Sequence, residues 1–473
     1  MDGRQGVVSL GFLLWSPDED FGIGETRRMA DDDGLVTDAL AKLRVDDPEA
    51  ARDAEAAFEW LTAGEGLGVL TQERVQTFLW YGLPMKWLTD TEDHRRVIDG
   101  LSRAFDLLGL ARYSALCQST TTAAILDAYE RSDEEGLRAF HEADRASGIR
   151  PPDVDELEWG SVMGPRESDG LSSTAEFLEL AIASSELVPG ARGWRRRQHE
   201  LVRAHLSGAR LDLAGRSWLE VIQEERLETW LEGRHSPTRR RLLEPLAARL
   251  RRPAELPVGV DDPVPPLRWL LGELTDGQPL TQTGNLNRAF VQAAAGCFGW
   301  WDAGLHGLPR SEDELYDLRQ VRQLGQRLGL IRRSGRRLVL TTSGRTALHD
   351  PEGLWRRTAT GLLPADPFAL TAGEATLALL LSGNTVAADD LNAAVAQIVE
   401  EEGWREQRSG APPDKHIISG ATHATTNLLQ ALNLLAIGGD WADRAYGLTP
   451  TAWSIAHEAL RRRATGPKAN PWG

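Results

Sequence analysis

Lysine and cysteine are both scarce in this chain of 473 residues. It contains two cysteines, Cys117 and Cys297, and four lysines, Lys42, Lys86, Lys415 and Lys468. Two distant cysteines provide neither a disulfide framework nor a cysteine-based metal site, and they favour a reducing compartment. No lysine follows a glycine, which excludes a Walker A phosphate loop. No lysine has an acid two residues before it, so the Asp/Glu-x-Lys core of a common nuclease class is also missing.

The chain also lacks a run of about 20 apolar residues, the length that a membrane helix needs. Its apolar N-terminal stretch at residues 7–15 has one basic residue before it, Arg4, and acids after it, which is not the pattern of a signal peptide. Met29 is an alternative to Met1 as the start. These features predict a cytoplasmic protein with no membrane partner.

Each candidate motif for metal binding or nucleophilic catalysis in this sequence lacks a required element. His199 and His205 are six residues apart and therefore leave the shared helical face that a zincin motif requires. No Gly-x-Ser-x-Gly elbow is present, and the glycines at 64, 66 and 68 have no strand before them. We therefore expect no metal, no cofactor and no catalytic residue that the sequence can name, and we favour a non-enzymatic protein over an enzyme.

The charge is unevenly distributed. The chain has 53 Lys and Arg against 70 Asp and Glu, a net charge of −17, which argues against a uniformly basic nucleic-acid coat. Residues 192–252, in contrast, carry 15 Arg against 8 acids. The basic residues are almost all arginine, a bias that a GC-rich genome also produces.

Helical periodicity dominates, so the predicted fold class is mainly α: a helical N-terminal domain followed by two modules with short β-hairpin wings. At about 100 to 200 residues per domain, the length itself predicts roughly three domains. The predicted segments are an acidic, partly disordered region at 1–62, a helical domain at 63–190, a basic helical linker at 191–262, modules at 263–362 and 363–464, and a tail at 465–473.

The C-terminal half gives the clearest pattern. A helix, a short strand at 278–281, a helix, and a third helix at 312–328 with a Ser311-x-x-Glu314 capping box precede an Arg-rich hairpin at 330–340. The same order recurs from Leu370 to Arg463. This order resembles the winged-helix module, a helix-turn-helix variant. The run 279–286 and the hairpin are also similar to segments of uncharacterised proteins from high-GC actinobacteria, a resemblance that implies a recurrent domain and no activity.

The first module contains the best candidate site. Residues 318–349 hold eight Arg and no acid. On the third helix, polar side chains fall on one arc and Leu318, Val321, Leu324 and Leu328 on the other. Because Arg pairs with guanine and Gln with adenine, and arginines on a wing can contact phosphates, we expect duplex DNA as the partner. The predicted contact residues are Arg319, Arg322, Gln323, Gln326 and Arg327 on the helix and Arg332, Arg333, Arg336 and Arg337 on the wing.

Three alternatives stay open at this point. The second module presents Thr425, Thr426, Asn427, Gln430 and Asn433 without arginine, so it is expected to serve packing, a protein partner or a homodimer through Trp441. If the first module also serves packing and does not bind DNA, the whole chain is a protein-interaction scaffold, which is the first alternative. The arginines of residues 192–252 are expected either to contact phosphates or to pair with the acidic N-terminal region. The second arrangement would be autoinhibitory and is the second alternative. An enzyme with its site at 70–188 is the third alternative.

Overall fold

The structure is a computed structural model that describes residues 25–87, 91–383, 385–439 and 444–468. Within these ranges it is mainly helical, with two small three-stranded antiparallel sheets. None of the helices in the described ranges is long and apolar enough to cross a membrane. Contacts divide the chain into two compact units. Unit 1 contains the described residues up to Ile222 together with Pro467 and Lys468, and unit 2 contains Gln223–Gly466.

Unit 1 is entirely helical apart from turns. Its α-helices are α1 (Glu25–Asp46), α2 (Pro48–Thr62), α3 (Gln72–Thr77), α4 (Leu83–Lys86), α5 (Thr91–Leu107), α6 (Ala111–Cys117), α7 (Thr120–Arg131), α8 (Asp133–Ser147), α9 (Pro165–Ala183) and α10 (Trp194–Ser207). A 3-10 turn at Leu67–Val69 and a π-helical turn at Phe78–Gly82 lie between them.

The sequence predicts a largely solvated segment up to a helix near residues 49–61. That helix is confirmed as α2, whereas the prediction of a solvated segment is wrong for residues 25–46, which form α1. Helices α1 and α2 together fill residues 25–62, and Asp47 caps the start of α2 by accepting the Ala50 amide at 3.0 Å. Leu43 and Phe58 are buried in one core with residues of α5 and α7. The acids of this segment are compatible with helices because Leu40 and Leu43 of α1 and Leu61 of α2 are buried in the same core. Residues 1–24 lie outside the described ranges.

Unit 2 contains the remaining helices and all six strands of the described chain. After α11 (Trp218–Glu232), which belongs to it from Gln223 onward, its elements are α12 (Pro237–Leu250), α13 (Pro265–Glu273), β1 (Gln278–Pro279), α14 (Arg288–Phe298), α15 (Ala303–His306), α16 (Tyr316–Arg327), β2 (Ile331–Ser334), β3 (Arg337–Leu340), α17 (Thr342–Leu348), α18 (Pro351–Leu362), α19 (Pro367–Ser382), β4 (Val386–Ala387), α20 (Ala388–Glu401), α21 (Lys415–Ala431), β5 (Leu435–Gly438), β6 (Ala445–Leu448) and α22 (Pro450–Thr465).

Unit 2 contains the same arrangement twice. We call residues 265–348 repeat 1 and residues 367–465 repeat 2. In repeat 1 the strand order is β1-β3-β2, with Gln278 opposite Leu338 and Ile331 opposite Leu340. In repeat 2 the order is β4-β6-β5, with the equivalent pairs Val386 with Tyr446 and Leu435 with Leu448. The predicted recurrence of helices and hairpin is therefore present as two sheets of identical connectivity.

The two repeats share one hydrophobic core. A single cluster of buried residues includes Leu318 and Leu324 of repeat 1, Leu377 and Leu428 of repeat 2, and Leu243 of α12. The sequence predicted boundaries near residues 62, 190, 262 and 362, whereas contacts among the described residues separate the chain between Ile222 and Gln223. Neighbouring segments bury their apolar faces against one another, so composition changes along the chain do not coincide with breaks in the core.

The predicted capping box at Ser311 is wrong, because α16 begins five residues later, at Tyr316. Residues 311–314 form turns, in which the Ser311 carbonyl accepts the Glu314 amide at 3.2 Å. The carboxylate of Glu314 accepts the amide of Arg310, and the carboxylate of Glu312 turns inward to a buried position. The acids after Ser311 are therefore used for contacts other than a helix start.

Candidate nucleic-acid interface

Helix α16 has one apolar and one polar side, as predicted. Leu318, Val321 and Leu324 are completely buried on the apolar side. Gln323, Gln326 and Arg327 are exposed, whereas Arg319 and Arg322 are half-buried. Asp317 lies in the first turn of the helix, where burial raises the pKa of its carboxyl group.

The hairpin that follows α16 places four arginines at its surface. Ile331, Leu338 and Leu340 are buried beneath it and fix the register of β2 against β3. Gly335, with φ +59°, occupies the turn together with Arg336. Arg332, Arg333, Arg336 and Arg337 are all exposed. The hairpin predicted at 330–340 is thus confirmed, and its two turn residues are Gly335 and Arg336.

The arginines of repeat 1 and of α18 are mostly without a carboxylate partner. Residues 263–362 contain thirteen arginines, and in the described part of the chain three of them form ion pairs: Arg268, Arg322 and Arg356. The guanidinium groups of the ten others have no carboxylate within 4.0 Å in those ranges, and nine of these residues are exposed: Arg288, Arg310, Arg327, Arg332, Arg333, Arg336, Arg337, Arg345 and Arg357. Their positive charge is therefore not neutralised locally.

Several of these arginines bond to backbone carbonyls, which orients them without neutralising them. Arg337 donates to the carbonyls of Asp276 and Gly277 at 2.8 and 2.7 Å. Arg327 donates to the Gly361 carbonyl at 3.0 Å, and Arg333 to the Gly335 carbonyl at 2.9 Å. The guanidinium of Arg319 lies 5.0 Å from the centre of the Tyr316 ring. The guanidinium groups of Arg332 and Arg336 have no hydrogen-bond partner within the described ranges, although the backbone carbonyl of Arg336 accepts the Leu280 amide at 2.8 Å.

Arg322 occupies a different environment from the other predicted contact residues. It forms an ion pair with Glu312 at 2.7 Å and donates to the Gly284 carbonyl at 3.0 Å. Its side chain is 14% exposed. Its functional group is therefore directed into the repeat, toward the turn between β1 and α14.

That turn, residues 281–286, is a part of the site that residue types alone did not indicate. Its Gly284 has φ +85°, and a Cβ there would lie 3.6 Å from Nη1 of Arg333. The turn thus contacts Arg322 of α16 and approaches Arg333 of the hairpin. The only sequence signal was its place in the run 279–286, which resembles segments of other proteins.

Repeat 2 lacks this charge. When the two hairpins are matched by their register, with Ile331 equivalent to Leu435, the positions of Arg332 and Arg333 are taken by Ala436 and Ile437, and the same offset places Thr426 at the position of Arg322. Thr425 and Thr426 are 1% exposed, so the prediction that they are presented at the surface is wrong. They are buried because α19 and α20 pack against this helix. Trp441, with Asp440 and Asp443, lies outside the described residues.

The central arginines pair with acids close to them in the fold. Arg197 pairs with Glu186 at 2.6 Å, and Arg251 with Glu224 at 2.8 Å. Arg239 is buried against Glu374 at 2.6 Å. These acids neutralise some of the arginines of residues 192–252, so no phosphate is needed to balance the charge of those arginines.

A cavity of about 220 Å³ among the helices of unit 1 is lined by residues that include Glu73, Glu176 and Glu179. Glu179 is already engaged, since it accepts the amide of Gln72 and the hydroxyl of Tyr113. No histidine or cysteine lines this cavity. In the described ranges, no group of three or more His, Cys, Asp or Glu side chains is placed to hold a metal ion.

Comparison with known proteins gives one match. A family model described as the Y4jL N-terminal domain matches residues 271–353. This stretch begins in α13 and ends in α18, so it contains the 281–286 turn, α16 and the whole hairpin. No curated protein and no solved structure matches the chain. The description of the matching family names no activity.

Proposed function

We propose that the chain is a non-enzymatic, regulatory protein that binds duplex DNA through repeat 1. In this proposal both repeats are winged-helix-like modules, α16 enters the major groove, and the β2–β3 hairpin is the wing. The major groove of B-DNA admits one α-helix, and the exposed arc of α16 carries the residue types that bond to base edges: Arg319, Gln323, Gln326 and Arg327.

The observation that supports this proposal most strongly is that the exposed guanidinium groups of repeat 1 have no carboxylate within 4.0 Å in the described part of the chain. Elsewhere in the described chain, exposed arginines such as Arg95 and Arg138 have acids within 3.0 Å. The wing arginines have no such partner in those ranges, although the chain has a large excess of acids. A cluster of uncompensated guanidinium groups attracts phosphates and releases the counterions that surround DNA.

Repeat 2 has a different role in this proposal. Its third helix has no arginine and is covered on one side by α19 and α20, so it supports repeat 1 through their shared core. We therefore assign no DNA contact to it. In this proposal the surface of repeat 2 binds a protein partner or a second copy of the chain.

The test is the salt dependence of binding to a random-sequence duplex DNA. Changing Arg332, Arg333, Arg336 and Arg337 together to Ala is expected to weaken binding about a hundredfold and to reduce the slope of log K against log salt by about 4. The matched control replaces four other exposed arginines of unit 2, Arg240, Arg252, Arg405 and Arg408, and so removes the same charge. We expect the control to keep most of the affinity and the slope.

Two outcomes would contradict the proposal. One is a wild-type chain with no affinity for duplex DNA at low salt. The other is a wing variant whose affinity and salt slope equal those of the control variant. Either result would favour the protein-interaction scaffold, in which the exposed arginines contact an acidic protein surface.

A further inference from the structure

We propose that Glu312 and Arg322 form a positioning pair that holds the 281–286 turn against α16, and that Arg322 therefore contributes to DNA binding without touching DNA. This inference rests on the function proposed above. It assigns to Arg322 a role opposite to the one that its place on the polar arc of α16 suggests.

The pair joins three separate segments of repeat 1. Oε2 of Glu312, in the turn before α16, accepts the Leu286 amide at 2.7 Å and Nη1 of Arg322 at 2.7 Å. Nη2 of Arg322 donates to the Gly284 carbonyl at 3.0 Å. Glu312 is 2% exposed, so the carboxylate is removed from water and depends on these two donors.

This geometry leaves Arg322 little freedom to contact a phosphate or a base. Turning its guanidinium outward would break the ion pair and leave a buried carboxylate with only the Leu286 amide. It would also free the Gly284 carbonyl. Planar, two-sided bonding of this kind is the property that distinguishes arginine from lysine at such positions.

The turn that the pair holds lies beside the hairpin. Because Gly284 approaches Arg333, a shift of the turn would change the space available to that guanidinium. The pair thus fixes the position of α16 relative to the turn and, through Arg333, relative to the proposed wing. Loss of the pair should misplace two parts of the DNA surface together.

The variant Glu312→Gln separates this inference from simple electrostatics by the sign of its effect. If Arg322 were a phosphate contact weakened by a neighbouring acid, removing the negative charge would free it and strengthen DNA binding. If the pair positions the turn, the same substitution should weaken binding to a random-sequence duplex DNA, by about tenfold. The salt slope should stay close to that of the wild type, because no phosphate contact has been deleted.

The matched control is Asp313→Asn, which removes the same charge one residue away. Asp313 is exposed and accepts the Asn285 side chain at 2.8 Å, a bond that asparagine can also accept. We expect the affinity of this variant to equal or slightly exceed that of the wild type. Hydrogen exchange provides a readout independent of DNA: the Leu286 amide should exchange faster in Glu312→Gln and not in Asp313→Asn.

The variant Arg322→Lys is tested alongside, because it retains the charge and removes the two-sided bonding. A positioning role predicts weaker binding for this variant, with an unchanged slope.

Near-wild-type affinity for Arg322→Lys, or stronger binding by Glu312→Gln, would overturn the inference while the wing variants could still support DNA binding. A wild-type chain that does not bind DNA would overturn both, and unchanged Leu286 exchange in Glu312→Gln would refute the geometric step alone.

Discussion

Arginine performs two different tasks in this chain, and burial distinguishes them. Arg239 has a side chain that is 5% exposed, and it donates to Glu374 at 2.6 Å and to the Trp230 carbonyl at 3.2 Å. Glu374 also accepts Nε of Arg463 at 2.7 Å, so one buried carboxylate joins α12, α19 and α22. Arg332 and its neighbours on the hairpin have no such partner in the described ranges.

Replacing Arg239 by Met should therefore destabilise unit 2 strongly. The substitution leaves the buried carboxylate of Glu374 with one of its two guanidinium partners, a loss of about 3 to 5 kcal/mol in the free energy of unfolding. Urea denaturation followed by circular dichroism measures this quantity. The neighbouring, exposed Arg240 is the control, and Arg240→Met should change the free energy by less than about 0.5 kcal/mol. Similar values for both variants would show that the buried pair adds no stability.

Glu401 gives unit 2 a pH-dependent contact. Its carboxylate accepts the hydroxyl of Ser236 at 2.5 Å and the amide of Thr238 at 2.9 Å, at the first turn of α12. These hydrogen bonds, led by the one from Ser236, lower the pKa of Glu401 from 4.5 to about 2. The charged form is favoured in the folded state, so the contribution to stability is complete above pH 4.5 and is lost as the pH falls toward 2.

The variant Glu401→Gln isolates this contribution. Unfolding free energies of the wild type and the variant should differ at pH 6, and the difference should shrink between about pH 4.5 and pH 2, where the wild-type carboxylate becomes protonated. Denaturant melts at a series of pH values provide the measurement. A difference that stays constant over this range would mean that the lost hydrogen-bond geometry, and not the charge, accounts for the effect.

At the scale of elements, the two repeats have the same connection, which we call the joint, between the hairpin and the helix that precedes it, α16 or α21. Gly329, with φ +64°, follows α16, and Leu330 donates back to the Gly325 carbonyl at 2.9 Å. Asn433, with φ +57°, follows α21, and Leu434 donates to the Leu429 carbonyl at 2.8 Å. Both are helix ends closed by a left-handed residue, a conformation that glycine and asparagine tolerate best.

This joint predicts opposite effects of two substitutions. Gly329→Ala should destabilise unit 2 by about 1 kcal/mol, because alanine is strained in the left-handed region although no atom lies within 4 Å of its Cβ. Asn433→Gly should instead leave stability unchanged or raise it by a few tenths of a kcal/mol. Comparing the urea unfolding midpoints of the two variants with that of the wild type measures both changes in stability. Equal destabilisation by both substitutions would argue against the joint as the cause.

Local elements could be predicted from the sequence where one periodicity dominates. The apolar stripe of α16 and the hairpin flanked by Ile331 and Leu340 were predictable because each pattern has a single period. Helix α1 was not, since the acids at 31–33 suggested a solvated segment. The start of α16 was misplaced because Glu312 and Glu314 bond to residues that are distant or upstream in the chain, which spacing cannot reveal.

The candidate site was predictable in the same partial way. The exposed arginines followed from composition, because a stretch with no acids has no nearby partners. The inward position of Arg322 did not, since its partner Glu312 and its acceptor Gly284 come from two other segments. Side chains at the edge of a polar arc can turn either way, and only the tertiary fold decides which.

At the scale of the whole molecule, the net charge of −17 belongs almost entirely to unit 1. Residues 223–466 contain 28 Lys and Arg against 29 Asp and Glu, a net charge of −1, and the rest of the chain contains 25 against 41, a net charge of −16. A charge of that size repels DNA over distances comparable to the Debye length, about 10 Å at 0.1 M salt. The full chain should therefore bind DNA less tightly than unit 2 alone.

A fragment comprising Gln223–Gly466 tests this consequence, since its core cluster contains residues of both repeats and of α12. We expect the fragment to unfold cooperatively and to bind a random-sequence duplex more tightly than the full chain at low salt. The gain should decline as salt rises, because screening removes long-range repulsion while the phosphate contacts of the wing are the same in both proteins. Deleting only residues 1–24, which precede α1 and contain one basic residue against four acids, is the intermediate case, and it should recover part of the gain if charge is the cause. A fragment that binds no more tightly than the full chain at any salt concentration would exclude an inhibitory effect of the acidic unit.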